Sequence, residues 1–534
     1  MNRLVSYTLP SNYDDFYVIS GSLSHIQRFI YDTTSQGALK NMRGRSFYLT
    51  LLTRAICDKL LHRLNLKYDA ILYNSGGTFC IISPYKQNIE SEMEEIVGQI
   101  KRVVADIICD DIVNICGVKA SRHDLENNCA DIFDKLFKSK HRAKFTPYNN
   151  SADYDSLFVA NPQQKKKSYD YIGAGLSDTT AILVSPEKLP LNDCVCIDLS
   201  RLGTYFYLGK ARKLANVTND GAYLLLINDE PQPSGCKLPI FREYIAGNGT
   251  RANSFEHLFT DEESSHQSLA VLRMDVDNLG ALLRSAMRKR NALSEYAALS
   301  RKLDAYFKGR INEMWNKSYS SSTVIIYAGG DDLFIVGEWE TTMGFMRAIH
   351  SEFKQFFNDE LMSVSAGISF VKPKFPIVRA AEMSGREEEV AKSFEYNGQQ
   401  KNAISIFETP LRWDFEYRMV ENYKESLLSL IQRGEVDKSF VKHILQISEN
   451  ISYVNGKITP IKYVWIAAYD LSRMAGRKKD SIGAKFIKQC VQDIMSGRTL
   501  DGKPIDSPYH SFQLITIAAR LVEMTLWKTE KTNK

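Results

Sequence analysis

Residues 329–332 read Gly-Gly-Asp-Asp, set between the β-formers Thr323-Val324-Ile325-Ile326-Tyr327 and Leu333-Phe334-Ile335-Val336. Paired glycines between two such runs predict a hairpin, because a tight turn needs backbone angles that glycine adopts without strain. The acids then sit at the hairpin tip. Upstream, the largely apolar run 271–274, interrupted by Arg273, closes on Asp275-Val276-Asp277-Asn278, and Leu279-Gly280-Ala281-Leu282-Leu283 follows with helical apolar spacing. A βαββ unit of this kind brings the strand-end Asp275 beside Asp331 and Asp332. Three clustered carboxylates repel one another unless cations neutralise them, and hard oxygen ligands suit Mg²⁺ or Mn²⁺. Two such ions activate a ribose hydroxyl and stabilise a pyrophosphate leaving group. Either motif alone also reads as a polar turn or a solvated strand end. Their joint context points to a two-metal nucleotidyl-transfer site.

The pattern occurs twice. Ile19-Ser20-Gly21-Ser22-Leu23-Ser24-His25 leads into a helix-like segment, and Ile71-Leu72-Tyr73-Asn74-Ser75-Gly76-Gly77-Thr78-Phe79 mirrors the hairpin. Ser22 precedes Gly76 by 54 positions, as Asp275 precedes Gly329, so one offset of 253 superposes both pairs. Duplication is the simplest explanation. In that register Ser22, Thr78 and Phe79 replace Asp275, Asp331 and Asp332, so the first copy assembles no carboxylate cluster. A later strand, 363–368, matches 113–118 with the offset slipping to 250 between Gly117 and Gly367.

At these residues, and at Ile26-Gln27-Arg28-Phe29-Ile30-Tyr31, Gly37-Ala38-Leu39-Lys40, Arg45-Ser46-Phe47-Tyr48 and 376–382 before Lys401-Asn402, the chain resembles the large subunit of type III CRISPR effector complexes, especially the Csm type. The resemblance implies an α+β protein with two ferredoxin-like palm domains of the GGDEF/cyclase kind. They bind ATP and join it 3′-to-5′ into cyclic oligoadenylates once the guide-loaded complex captures target RNA. It implies as metal ligands Asp275, Asp331 and Asp332, with Asp277 as a neighbour, and as nucleotide contacts Asn278, Gly329, Gly330, Ser365 and Lys401. On the first copy it implies Ser22, Gly76 and Gly77. Other effector subunits, guide crRNA and target RNA are the implied partners. Two alternatives keep the same chain: ATP joined to another adenosyl acceptor such as S-adenosylmethionine, or a non-catalytic scaffold.

Two departures from the family bear on activity. Many members begin with a His-Asp nuclease domain of about 100 residues or more, whereas here the palm pattern starts by Ile19 and the lone His-Asp pair is His123-Asp124. That pair reads as a surface or capping pair, and no single-stranded DNA cleavage is expected of this chain. Members also often carry Cys-x-x-Cys zinc knuckles. None occurs among the nine cysteines here, and Cys194 and Cys196, two apart, read as packed on one strand face, so no zinc is expected.

Composition fits a large globular protein of 534 residues, 44% hydrophobic and 25% charged. An odd cysteine count, no leader-like start and no apolar run near the ~20 residues of a membrane span lead to the expectation of a cytoplasmic protein without a membrane partner. Net charge of +5 is too mild to argue nucleic-acid binding. The basic runs Lys165-Lys166-Lys167, Arg477-Lys478-Lys479 and Arg284 with Arg288-Lys289-Arg290 read more readily as solvated faces than as phosphate contacts. Expected domains are a first palm at 1–148, a linker and small mixed insert at 149–262, the catalytic palm at 263–408 and a helical bundle at 409–534.

Overall fold

The computed structural model describes residues 7–33, 37–108, 112–127, 129–145, 168–259, 267–288, 291–358, 361–454, 457–459, 462–475, 481–496 and 506–529. The three lysines at 165–167, Lys289-Arg290, the basic turn at 477–479, Cys109 and most of the expected linker lie outside those residues. The chain is mixed α and β and divides into two compact units, neither a single run of sequence: residues 1–260, 278–362 and 374–381 form one, and 261–277, 363–373 and 382–534 the other.

The first unit begins with an antiparallel four-stranded sheet. The strand Asp15–Leu23 pairs with Thr78–Pro84 on one side and Val113–Ser121 on the other, and Ile71–Ser75 completes the edge. The connections between these strands carry the short helix Ile26–Tyr31 and the long helices Ala38–Arg63 and Ile89–Ile108. In the last of these, the buried residues Ile89, Met93, Ile96, Ile100 and Val104 recur at helical spacing, which gives the helix one apolar face to pack. A separate five-stranded sheet occupies residues 181–243, and Cys194 and Cys196 pack as partly buried side chains against its core of Leu183, Tyr207 and Leu224. The same unit holds the hairpin 323–338 and, beside the first sheet, the segment 287–297, whose Met287, Leu293 and Tyr296 share a core with Phe16, Val18 and Cys80.

In the second unit the strand Leu269–Val276 pairs antiparallel with Val364–Val371, which pairs parallel with Ala403–Ile406 and so leads to Thr409–Arg412. The helix ending at Lys392 lies so close to the Val364–Val371 strand that a Cβ on Gly367 would meet the Glu388 amide at 2.0 Å. Beyond that helix the described residues hold the helices Arg418–Gln432, Ser439–Ser448, Lys462–Ala475, Ile482–Ser496 and Ser511–Thr529, with the Tyr423 hydroxyl donating to Asp493 at 3.2 Å. The segment expected as a helical bundle is not all helix: Thr409–Arg412 is a sheet strand, and Ser452–Val454 pairs antiparallel with Lys457–Thr459. Among the described residues, no helix is long and apolar enough to cross a membrane.

Strand pairing refines the register of the duplication. Ser75 pairs with Thr78 and leaves Gly76-Gly77 as a two-residue turn, while Gly329 pairs with Asp332 and leaves Gly330-Asp331. Both hairpins also bulge at the same place, between Ile71 and Tyr73 and between Ile325 and Tyr327. The hairpins are therefore related by an offset of 254, not 253. Gly77 stands at the position of Asp331 and Thr78 at that of Asp332, which corrects the assignment of Thr78 and Phe79. At the preceding strand end 253 holds: the Ser24 amide donates to Ile112 as the Asp277 amide donates to Ser363, and His25 and Asn278 follow with φ of +55° and +56°, each starting a helix. Asn114 faces Ser22 as Ser365 faces Asp275, so the third strand is offset by 251 rather than the 250 that matching Gly117 to Gly367 suggests.

Candidate active site

In the second unit, Asp275 ends its strand opposite Ser365, and the close seat of the helix on Gly367 brings Lys392 to it. The Lys392 ammonium lies 2.5 Å from Asp275 and 2.7 Å from Glu388, one helical turn earlier. Burial pulls the Lys392 ammonium down, but Asp275 and then Glu388 outweigh it, and the net direction is up. Sequence reading missed Lys392. Its signal was a Glu-Lys pair four apart on one helix face, common enough on solvated helices to carry no weight by itself.

Asp277 is 1% exposed. Its carboxylate accepts from the Ser363 hydroxyl at 2.7 Å, the Ser365 hydroxyl at 2.8 Å and the Asn402 amide at 3.1 Å. A buried carboxylate needs such donors, and here they tie the strand end to the turn in which Lys401 and Asn402 take φ of +58° and +48°. Ser365, expected as a nucleotide contact, is fully buried with its hydroxyl given to Asp277, so in this structure it holds the strand end. The first copy repeats the link in other residues: the Asn114 amide donates to the Ser24 hydroxyl at 2.7 Å.

In the first unit the two hairpin tips meet. A Cβ on Gly76 would lie 3.2 Å from the Gly330 Cα, and both glycines need their positive φ, +59° and +68°. Asp331 and Asp332 are partly exposed at the second tip. A cavity of about 930 Å³ opens here, lined among others by Ser24, His25, Asn114, Gly77, Lys308 and Asp332. Ser22 is buried in its sheet, paired with Thr78 and Asn114. His123-Asp124 lies elsewhere in this unit, where Asp124 accepts from the Ser121 hydroxyl at 2.7 Å and from its amide at the start of the helix Arg122–Asn127; that hydroxyl holds its carboxyl below the usual range.

The donor chemistry of Asp275, Asp331 and Asp332 fits a hard divalent cation, and Asp275 already carries a cation in the Lys392 ammonium. Among the described residues, no group of three or more His, Cys, Asp and Glu side chains is gathered to hold a metal ion. The oxygens of Asp277 are committed to Ser363, Ser365 and Asn402.

Comparison with known proteins places this arrangement. Residues 268–405 match the model of the Cas10/Cmr2 second palm domain, and residues 15–161 match that of Csm1 subunit domain B. Two relatives named CRISPR system single-strand-specific deoxyribonuclease Cas10/Csm1 (subtype III-A), from Methanocaldococcus jannaschii and Enterococcus italicus, are each 26% identical to it. The first match covers 79% of this chain and 62% of the relative, the second 83% and 61%. The chain thus spans about three fifths of the length of these relatives. A crystal structure of the Csm1-Csm4 subcomplex in the type III-A CRISPR-Csm interference complex superposes with a TM-score of 0.68 at 17% identity, over 96% of this chain and 70% of that one. Csm1-Csm4 cassettes in complex with one ATP and with cA4 give TM-scores of 0.66 and 0.63, at 18% and 17% identity, covering 95% and 96% of this chain and 70% of each of those chains. Fold and matches define a palm-domain protein of the CRISPR effector class. The chain belongs to the Cas10/Csm1 family, the large subunit of subtype III-A CRISPR systems.

Proposed function

We propose that this chain is a nucleotidyltransferase that, within a type III effector complex, converts ATP into cyclic oligoadenylates by 3′-to-5′ phosphodiester formation when guide RNA captures a matching target. One observation carries the reading: two hairpins with the same bulge and the same two-residue turn differ in that one presents Gly77-Thr78 and the other Asp331-Asp332. A turn that needs only to be polar has no reason to crowd two acids where its duplicate does without them. The cassettes solved with ATP and with cA4 support the substrate and product class.

In this reading the chain holds two ferredoxin-like palms, and Asp275, Asp331 and Asp332 hold Mg²⁺ or Mn²⁺. When bound, the ions supply Lewis-acid activation of the attacking hydroxyl and neutralise the departing pyrophosphate. Asp277 fixes the strand end that carries Asp275. Asn278, Gly329 and Gly330 are the proposed contacts to the nucleotide, and Lys392 and Lys401 offer positive charge to its phosphates. Ser22, Gly76 and Gly77 belong to a copy that holds a nucleotide without turning it over. Other Csm subunits and the guide RNA are the partners, and sequence is read by base pairing.

The test is to assemble the chain with its guide complex and add target RNA, Mg²⁺ or Mn²⁺ and labelled ATP, with and without S-adenosylmethionine, resolving products by mass spectrometry. Cyclic adenylates support the proposal. An adenylated acceptor redirects it, and no product in any condition leaves a scaffold.

A further inference from the structure

The strongest unexplained feature of the first unit is a buried ionic chain reaching the meeting point of the two tips. The Ser75 hydroxyl, just before the first turn, donates to Asp304 at 2.5 Å. The Lys308 ammonium lies 2.8 Å from the same Asp304 oxygen and 3.7 Å from Glu243, with its side chain only 10% exposed. Its Cε would stand 3.3 Å from a Cβ on Gly329, at the base of the second turn, and it lines the cavity with Asp332. Glu243 in turn binds Arg54 at 3.1 Å, and Arg54 adjoins Tyr223, whose hydroxyl donates to Asp58.

The backbone supports this placement. Residues Ala305–Arg310 form a π-helical turn between the helices Ala292–Asp304 and Ile311–Ser318, and Lys308 sits within it. Such turns are rare and interrupt a helix at a local cost. A buried ammonium held by two carboxylates is likewise costly to desolvate. Both costs recur at the point where the tips meet.

We propose, resting on the function above, that Lys308 is a positioning residue: through Asp304 and Ser75 it fastens the acid-free hairpin tip to the tip bearing Asp331 and Asp332. The first copy then does more than fill space, because its turn sets the position of the acids on the second. Lys308 acts through these groups and needs no contact with the reacting atoms.

The test compares wild type with Lys308→Met, Lys308→Arg and Asp304→Asn, each as the full chain. Amide hydrogen exchange is read in peptides covering 71–84 and 323–338, alongside kcat and KM for ATP in the assembled complex. The expected result for Lys308→Met is faster exchange in both hairpins and a kcat lowered roughly ten- to hundredfold with KM within about twofold. Lys308→Arg should restore most of both, and Asp304→Asn should resemble Lys308→Met. Exchange that changes only in 292–318, or a lower kcat without a change at the tips, overturns the proposal. Exchange needs no turnover: if wild type forms no product yet both tips loosen in Lys308→Met, the activity reading fails and the fastening stands.

Discussion

The Ser365 hydroxyl donates to the Asp277 carboxylate across 2.8 Å, and Asn114 makes the corresponding bond to Ser24 in the other copy. Asp277 is thus the counterpart of a residue that carries no charge at all. Its work is to bind Ser363, Ser365 and Asn402. Asp277→Ala should leave the buried Ser365 and the partly buried Ser363 and Asn402 without their acceptor and cost about 2–4 kcal/mol. The double change Asp277→Ser with Ser365→Asn, which transplants the pairing of the first copy, should recover part of that loss. Denaturant unfolding checks both, and a double variant no more stable than Asp277→Ala would refute the equivalence.

In the proposed function Lys392 and a divalent ion compete for Asp275. Removing the ammonium in Lys392→Met should tighten Mn²⁺ binding about fivefold, the equivalent of about 1 kcal/mol for a partly exposed pair, while lowering turnover at least tenfold. Mn²⁺ titration followed by electron paramagnetic resonance reads the first effect without any catalysis. Weaker Mn²⁺ binding in the variant would mean that Lys392 supports the ion rather than displacing it.

At the second tip, Gly330 has a φ of +68° in a turn that faces Gly76. Gly330→Ala should destabilise by about 1–2 kcal/mol, because a Cβ is strained in that backbone region, and should lower activity more than stability. An unchanged melting temperature would show that the turn relaxes without cost.

Burial holds His510 below the ordinary imidazole range, and its Nδ1 accepts the Phe512 amide at 3.2 Å. A folded value below the unfolded one of about 6.5 makes its contribution to stability complete above that pH and lost as the pH falls through it toward the folded value. His510→Gln should therefore reduce the loss in melting temperature between pH 7.5 and pH 5 by on the order of 2 °C. Equal losses in both proteins would place the acid sensitivity elsewhere.

Much of this was legible in the chain itself. The helices Ala38–Arg63 and Ile89–Ile108 show in the letters as apolar residues recurring at helical spacing, and those residues are the buried ones. The hairpins followed from β-formers around glycine pairs. The register was misread by one residue because Gly76-Gly77 and Gly329-Gly330 align as letters, whereas the turn contains Gly330-Asp331. A turn is defined by which backbones pair, and identity does not report that. Lys392 and Lys308 were invisible for a related reason: their partners Asp275 and Glu243 lie 117 and 65 positions away, and only folding brings them together.

The central claim is that Asp331 and Asp332 make this copy of the hairpin catalytic. The most direct measurement compares the intact chain with Asp331→Ala/Asp332→Ala, each assembled on guide and target RNA with labelled ATP and Mn²⁺. Cyclic oligoadenylates from the intact chain and none from the variant, with assembly and melting temperature preserved, is the predicted result. Product from the variant, or from neither protein, would contradict it.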